Sequence, residues 1–183
     1  MIIGFEDDNF WIRVGIHQFY GIEINDFAVA TATTALWIAE AQMMKETENI
    51  IHQEMDFFPL KSYTNIVEGN ALRMDWNEVV PAEELSYIMG NPPFVGYSLQ
   101  SKEQKDDKGK PYKTAGKIDY VAGWYWKASE FMQGTSIRAA LVSTNSITQG
   151  EQVASIWEPL YKRFGIHIDF AYRTFIWDSE ASL

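Results

Sequence analysis

Phe19-Tyr20-Gly21-Ile22-Glu23-Ile24-Asn25-Asp26-Phe27 carries two kinds of structure in one short stretch. Its first six residues read as a buried strand with an acid near its end. Asn25 and Asp26 are good N-caps, because a short side-chain oxygen accepts from the first free helical N–H groups. Phe27, Ala30, Thr34, Trp37, Ala41 and Met44 then recur at three- and four-residue spacing, the period of one helix face. A strand feeding directly into a helix is the repeating unit of a parallel sheet.

The pattern continues outward. Residues 65–68 read as a second short strand, leading to the turn-like Gly69-Asn70. Residues 85–89 read as a third, ending at Gly90. Ile118, Val121, Ala122, Tyr125, Ala128 and Met132 mark a second amphipathic helix. Residues 137–144 form a mostly apolar strand. Thr148-Gln149-Gly150-Glu151 has capping-box spacing and opens a helix with Val153, Ile156, Trp157, Leu160 and Phe164 on one face. Residues 166–172 alternate apolar and polar, as a half-exposed strand near a sheet edge does. Residues 45–64 are polar and irregular. Residues 95–117 have almost no apolar period and read as a long loop, a kind of segment that is usually functional or disordered. The alternation predicts a doubly wound α/β sheet with flanking helices, in one domain spanning residues 1–183.

Composition narrows the class. Of 183 residues, 46% are hydrophobic and 22% charged, which is ordinary for a globular chain. No run approaches the roughly 18 apolar residues of a membrane helix, and the N-terminus lacks a secretory signal pattern. The absence of cysteine excludes disulfides, thiolate metal sites and cysteine nucleophiles. A reducing cytoplasm is the default compartment. The net charge is −10, and residues 1–60 hold ten acids against two bases. Such a chain is a poor non-specific binder of nucleic acid, since affinity for the backbone comes from neutralising phosphates. One local run reverses the sign: Lys102, Lys105, Lys108, Lys110, Lys113 and Lys117. On charge pattern alone it reads as a solvated polar loop. His17, His52 and His167 are scattered, and no metal site is predicted.

The sharpest chemical feature is Asn91-Pro92-Pro93-Phe94, directly after the third strand. Ligands of open α/β sheets bind at the carboxyl ends of strands. Two prolines stiffen the loop and remove two N–H donors, leaving it rich in carbonyl acceptors. The Asn side chain adds an acceptor and Phe94 a flat stacking surface. Rigid acceptors beside an aromatic plane suit a planar substrate with an exocyclic amino group. Glu23 and Asp75 stand near the ends of the first and second strands. An acid at a strand end of a nucleotide-binding fold characteristically holds ribose hydroxyls. Asp75 is placed to accept from an adenine amino group, with Trp76 nearby. Taken singly, each acid is more often a solvated carboxylate or a helix cap.

In order along the chain, FYGIEI (19–24), NALRMDW (70–76), GNPPFVG (90–96), DYVAGWYWKA (119–128), STNSITQGEQV (143–153) and FAYRTFIW (170–177) resemble the amino-methyltransferases that modify adenine in DNA. The similarity is greatest to the methyltransferase region of the single-chain restriction–modification enzymes similar to MmeI. It covers essentially the whole chain. The resemblance implies a Rossmann-like sheet that binds S-adenosylmethionine and moves its methyl group to the N6 amine of a flipped adenine in double-stranded DNA. It implies that Glu23 binds the cofactor's ribose, with Ile24 against the adenine. It places Asp75 and Trp76 at the adenine amine. Asn91 and the Pro92 carbonyl would accept from the target amine, with Pro93 stiffening the loop and Phe94 stacking on the base. Phe175 or Trp177 would form the other wall, and the lysine-bearing segment would lie over the DNA side of the pocket. No metal is implied.

The family pattern also predicts features that residues 1–183 lack. Residues 1–18 contain only Gly4 and Gly15, without the Gly-rich cofactor loop that follows the family's first strand. The sequence ends before the family's hairpin strand, and its target-recognition and nuclease regions are absent. The expectation is therefore a partial sheet, truncated and inactive alone, with DNA contacts largely outside it. The alternative is a non-catalytic remnant or split-enzyme subunit, which would self-associate or pair with a complementary chain through open strand edges. A third reading, an RNA or protein amino-methyltransferase, is disfavoured by STNSITQGEQV.

Overall fold

The computed structural model describes residues 14–52, 65–109, 112 and 117–172. The chain divides into two compact units, Met1–Pro81 and Ala82–Leu183.

In the first unit, β1 (Tyr20–Glu23) pairs in parallel with β2 (Asn65–Glu68), Tyr20 opposite Asn65 and Glu23 opposite Glu68. Between them runs α1 (Asp26–Ile51), a strand–helix–strand crossover. Asn25 caps α1 as predicted: its side chain accepts from the Phe27 and Ala28 N–H groups at 2.9 and 3.3 Å. The helix runs past Met44 into the stretch expected to be irregular, because Lys45, Glu46 and Glu48 are good helix formers. It ends at His52 in the left-handed region, φ 54°. The predicted apolar face is only partly covered. Trp37, Ala41 and Met44 are half-buried, whereas Phe27, Ala30 and Thr34 are exposed. Periodicity located the helix, but burial depends on what packs against it.

In the second unit, β3 (Tyr87–Gly90) pairs in parallel with β4 (Arg138–Leu141), Gly90 opposite Leu141. The crossover contains α2 (Lys102–Gly109) and α3 (Ala122–Phe131), and α4 (Gln152–Phe164) follows β4. Ile118, Val121, Ala122, Trp126, Ile147, Ile156 and Leu160 form the core with Tyr112. Tyr112 and Trp126 meet edge-to-face with centroids 5.0 Å apart, as do Trp126 and Phe164 at 5.1 Å. The apolar face predicted for α4 is the one that packs. Gly165 ends the helix at φ 62°, a conformation most side chains resist.

Three expectations are corrected. Residues 102–109 are helix, not loop. Ser101 supplies a capping box: its N–H donates to Gln104 Oε1 at 2.9 Å, and its hydroxyl accepts the Gln104 N–H at 3.2 Å. Thr148 does not cap α4; its hydroxyl donates instead to the Asn145 carbonyl at 2.9 Å, closing a preceding 3-10 turn. Residues 166–172 form no strand, and Phe170 and Tyr172 are 79% and 78% exposed. Alternation makes a strand only when a neighbouring strand takes its backbone groups. Among the described residues, each sheet has two strands.

Candidate active site

The Asn91-Pro92-Pro93-Phe94 loop leaves the carboxyl end of β3, where the Val142 N–H still donates to the Gly90 carbonyl at 2.9 Å. That last ladder bond fixes the point of departure. Pro92 is buried and anchors the loop. Asn91 and Pro93 are exposed, and Phe94 is half-buried. The loop thus presents an amide side chain to solvent on a backbone stiffened by two prolines.

The residues immediately beyond Phe94 are held by a chain of hydrogen bonds. The Val95 carbonyl accepts from the Tyr120 N–H at 3.0 Å and from Gln100 Nε2 at 2.9 Å. The Leu99 N–H donates to the Gly96 carbonyl at 2.9 Å. Lys108, expected in a solvated loop, is only 4% exposed. Its Nζ donates to Gln100 Oε1 at 2.7 Å and to the Ile118 carbonyl at 2.6 Å. Burial pulls its pKa down from the ordinary 10.5 to about 8; Asp119 opposes the shift and Lys105 adds to it.

The segment after β4 is braced as firmly. The Ser146 hydroxyl donates to Asp119 Oδ2, and Ser146 and Thr144 share a hydroxyl contact at 2.5 Å. The Asp119 N–H donates to Gln152 Oε1 at 2.9 Å. Trp157 Nε1 donates to the Ile147 carbonyl at 2.7 Å, and the Tyr125 hydroxyl meets Ser143 Oγ at 3.0 Å. Burial raises the Tyr125 pKa, partly offset by the Ser143 hydrogen bond. The long STNSITQGEQV stretch is therefore tied down by Asp119, Tyr125 and Trp157.

In the first unit, Glu23 closes β1 and is half-buried. Its Oε1 accepts from the Ile24 N–H at 2.9 Å, and Ile24 is 68% exposed. The Gly69 N–H donates to the Glu23 carbonyl at 2.8 Å, joining the two strand ends. Asp75, seven residues past the end of β2, starts a 3-10 turn; its Oδ1 accepts from the Asn77 N–H at 3.0 Å. Trp76 is half-buried, with its Nε1 donating to the Ala71 carbonyl at 2.9 Å. Because β1 and β2 are parallel, their carboxyl ends, Glu23 and Glu68, lie side by side at one edge of the pair. Glu23, Ile24, Asp75 and Trp76 belong to the first unit and the Asn91–Phe94 loop to the second. Phe175 and Trp177 lie outside the described residues. Sequence reasoning missed Gln100, Lys108 and Asp119; the Ser101–Gln104 capping spacing was the one local signal for α2.

Parallel strand pairs with a stiff Asn-Pro-Pro-Phe loop at a strand end have the form of a methyltransferase domain. Comparison with known families agrees: residues 2–183 match the MmeI DNA-methyltransferase domain. The chain belongs to that family. It is 44% identical over 175 residues to DNA methyltransferase A of Bacillus subtilis (strain 168), covering 92% of this chain and 20% of that protein. It also matches the solved structure of the Type IIL restriction–modification enzyme MmeI in complex with DNA. The TM-score is 0.86 at 45% identity, over 93% of this chain and 23% of that one. The chain thus spans about a fifth of the length of these relatives. Among the described residues, no helix is long and apolar enough to cross a membrane.

Proposed function

We propose that residues 1–183 are a partial catalytic domain of a DNA adenine-N6 methyltransferase within a restriction–modification enzyme. One observation carries the reading: an exposed Asn91 on a proline-stiffened loop at the end of a parallel strand, beside a half-buried Phe94. Asn91 Oδ1 and the Pro92 carbonyl accept the two amine hydrogens of an adenine, and Phe94 stacks on its ring. This holds the amine nitrogen with its lone pair free for attack. Such catalysis is chiefly positioning. The partner is double-stranded DNA, from which the base must be flipped. DNA in the solved MmeI structure supports this choice.

The residues of the first unit fit the adenosine half of S-adenosylmethionine. Glu23 closes β1 beside the exposed apolar Ile24, and Asp75 comes seven residues after the adjacent strand β2, beside Trp76. Glu23 would hold the ribose hydroxyls and Asp75 the adenine amine. When bound, the cofactor supplies a methyl group activated by its sulfonium. Phe175 and Trp177 are proposed as the second wall of the base pocket. The compartment that suits this reaction is the cytoplasm.

The test is calorimetric titration of S-adenosylmethionine into the chain and into Asp75→Ala, with methyl transfer to adenine-containing duplex measured alongside. Saturable binding lost in the variant supports the reading. Binding that survives the substitution refutes the assignment of Asp75. A second reading, an interaction piece completed by another copy or a complementary chain, is favoured by the two-stranded sheets and by the exposure of Tyr87 (66%) and Met89 (77%) on β3. Sedimentation of the chain alone, showing dimers without cofactor binding, would favour it.

A further inference from the structure

The buried Gln100–Lys108 pair is used by no step of the proposed reaction, yet both residues are at least nine-tenths buried, at 5% and 4% exposure. We propose that this pair is an internal latch that positions the Asn91–Phe94 loop from behind. The inference rests on the function proposed above.

The geometry runs in one direction. Lys108 Nζ grips Gln100 Oε1 at 2.7 Å, which orients the amide so that Nε2 points at two carbonyls. One is Val95, next to Phe94, at 2.9 Å; the other is Ile118 at 3.1 Å. Lys108 reaches the same Ile118 carbonyl, and the Val95 carbonyl takes its second hydrogen bond from the Tyr120 N–H. The loop is thereby fastened to the start of the segment that enters α3. Lys105 and Lys108 also stand over the Tyr97 ring, 4.9 and 5.1 Å from its centroid. A buried ammonium costs stability that a methionine of similar shape would not. Retaining it is intelligible where its bonds set the position of Val95 and so of Phe94. Lys108 and Gln100 are positioning residues, since neither would touch the substrate.

The test is amide hydrogen exchange of the 183-residue chain and of Lys108→Met and Gln100→Met, read by mass spectrometry. The reporters are the Tyr120 and Leu99 amides, bonded to the Val95 and Gly96 carbonyls. Loss of a charge-assisted hydrogen bond should speed exchange there by about tenfold. Exchange in α4 should stay as in the parent. Unchanged Tyr120 and Leu99 exchange in both variants overturns the latch. Acceleration of every segment, or failure of both variants to fold, also overturns it, because the pair would then merely hold the fold together. In methyl transfer, kcat should fall about tenfold with KM for the duplex unchanged; a loss confined to KM contradicts positioning. A parent chain that transfers no methyl group counts against the function proposed above, while exchange still decides the latch.

Discussion

The backbone N–H of Asp119 donates to Gln152 Oε1 at 2.9 Å, across 33 residues of chain. The same glutamine returns a longer contact to Asp119 Oδ2 at 3.4 Å, and Ser146 donates its hydroxyl to that oxygen. One carboxylate and one amide thus tie the segment after β4 to the residues that precede α3. Asp119→Ala removes the acceptor and should cost about 1–3 kcal/mol, the penalty for leaving part-buried donors unmet. Gln152→Ala should cost about 1 kcal/mol. The double variant should fall short of the sum by about 0.5 kcal/mol or more, because the two share partners. Urea unfolding of the four proteins measures all three; strict additivity would show the contacts to be independent.

Burial separates the helices sharply. Leu160 is wholly buried on α4, and Leu160→Ala should cost about 2–5 kcal/mol. Phe27 on α1 is 77% exposed, and Phe27→Ala should change stability by no more than about 0.5 kcal/mol. A large loss at Phe27 would mean that another molecule covers that face in solution, and concentration-dependent melting would reveal it.

Asn91 is exposed, so its substitution should separate chemistry from folding. Asn91→Ala should leave the thermal midpoint in place while methyl transfer to adenine falls on the order of 100-fold, as when one preorganised polar contact to the reacting group is lost. Equal activity in the variant would remove Asn91 from the reaction.

Lys108 gives a pH dependence with a definite sign. Its pKa is about 8 when folded, against the ordinary 10.5, because burial disfavours the ammonium. Between those values the unfolded chain binds more protons than the folded one, so this contribution to stability rises with pH. The cost is fully present below pH 8. The stability of the parent relative to Lys108→Met should therefore increase from pH 8 upward. Burial shifts the Tyr112 hydroxyl upward, which works in the opposite sense once unfolded tyrosines ionise above about pH 10. Urea midpoints taken from pH 7 to pH 9.5 read the lysine alone, and a flat difference would place the ammonium in water.

Much of the fold and part of the candidate site could be read locally. The Asn25 cap, the strand ends at Glu23 and Gly90, and the apolar face of α4 each depend on neighbours a few residues away. The position of the candidate loop just past β3 was legible for the same reason, since Asn91-Pro92-Pro93-Phe94 stiffens itself by its own covalent geometry. The sequence failed where the decisive partner lies far along the chain. Residues 166–172 have the alternation of a strand, but no strand among the described residues takes their backbone groups. Lys108 looks like a solvated charge until Gln100 and the Ile118 carbonyl are placed around its ammonium.

What the sequence determined by itself, then, was the order of the four paired strands and of α1, α3 and α4, and the residue types available near the strand ends, because caps, periodicity and proline act over a turn or two. The tertiary structure alone decided which polar groups are buried, how the loop after Phe94 is held, and why STNSITQGEQV stays in place. Those outcomes rest on desolvation and hydrogen bonding between segments brought together only by folding.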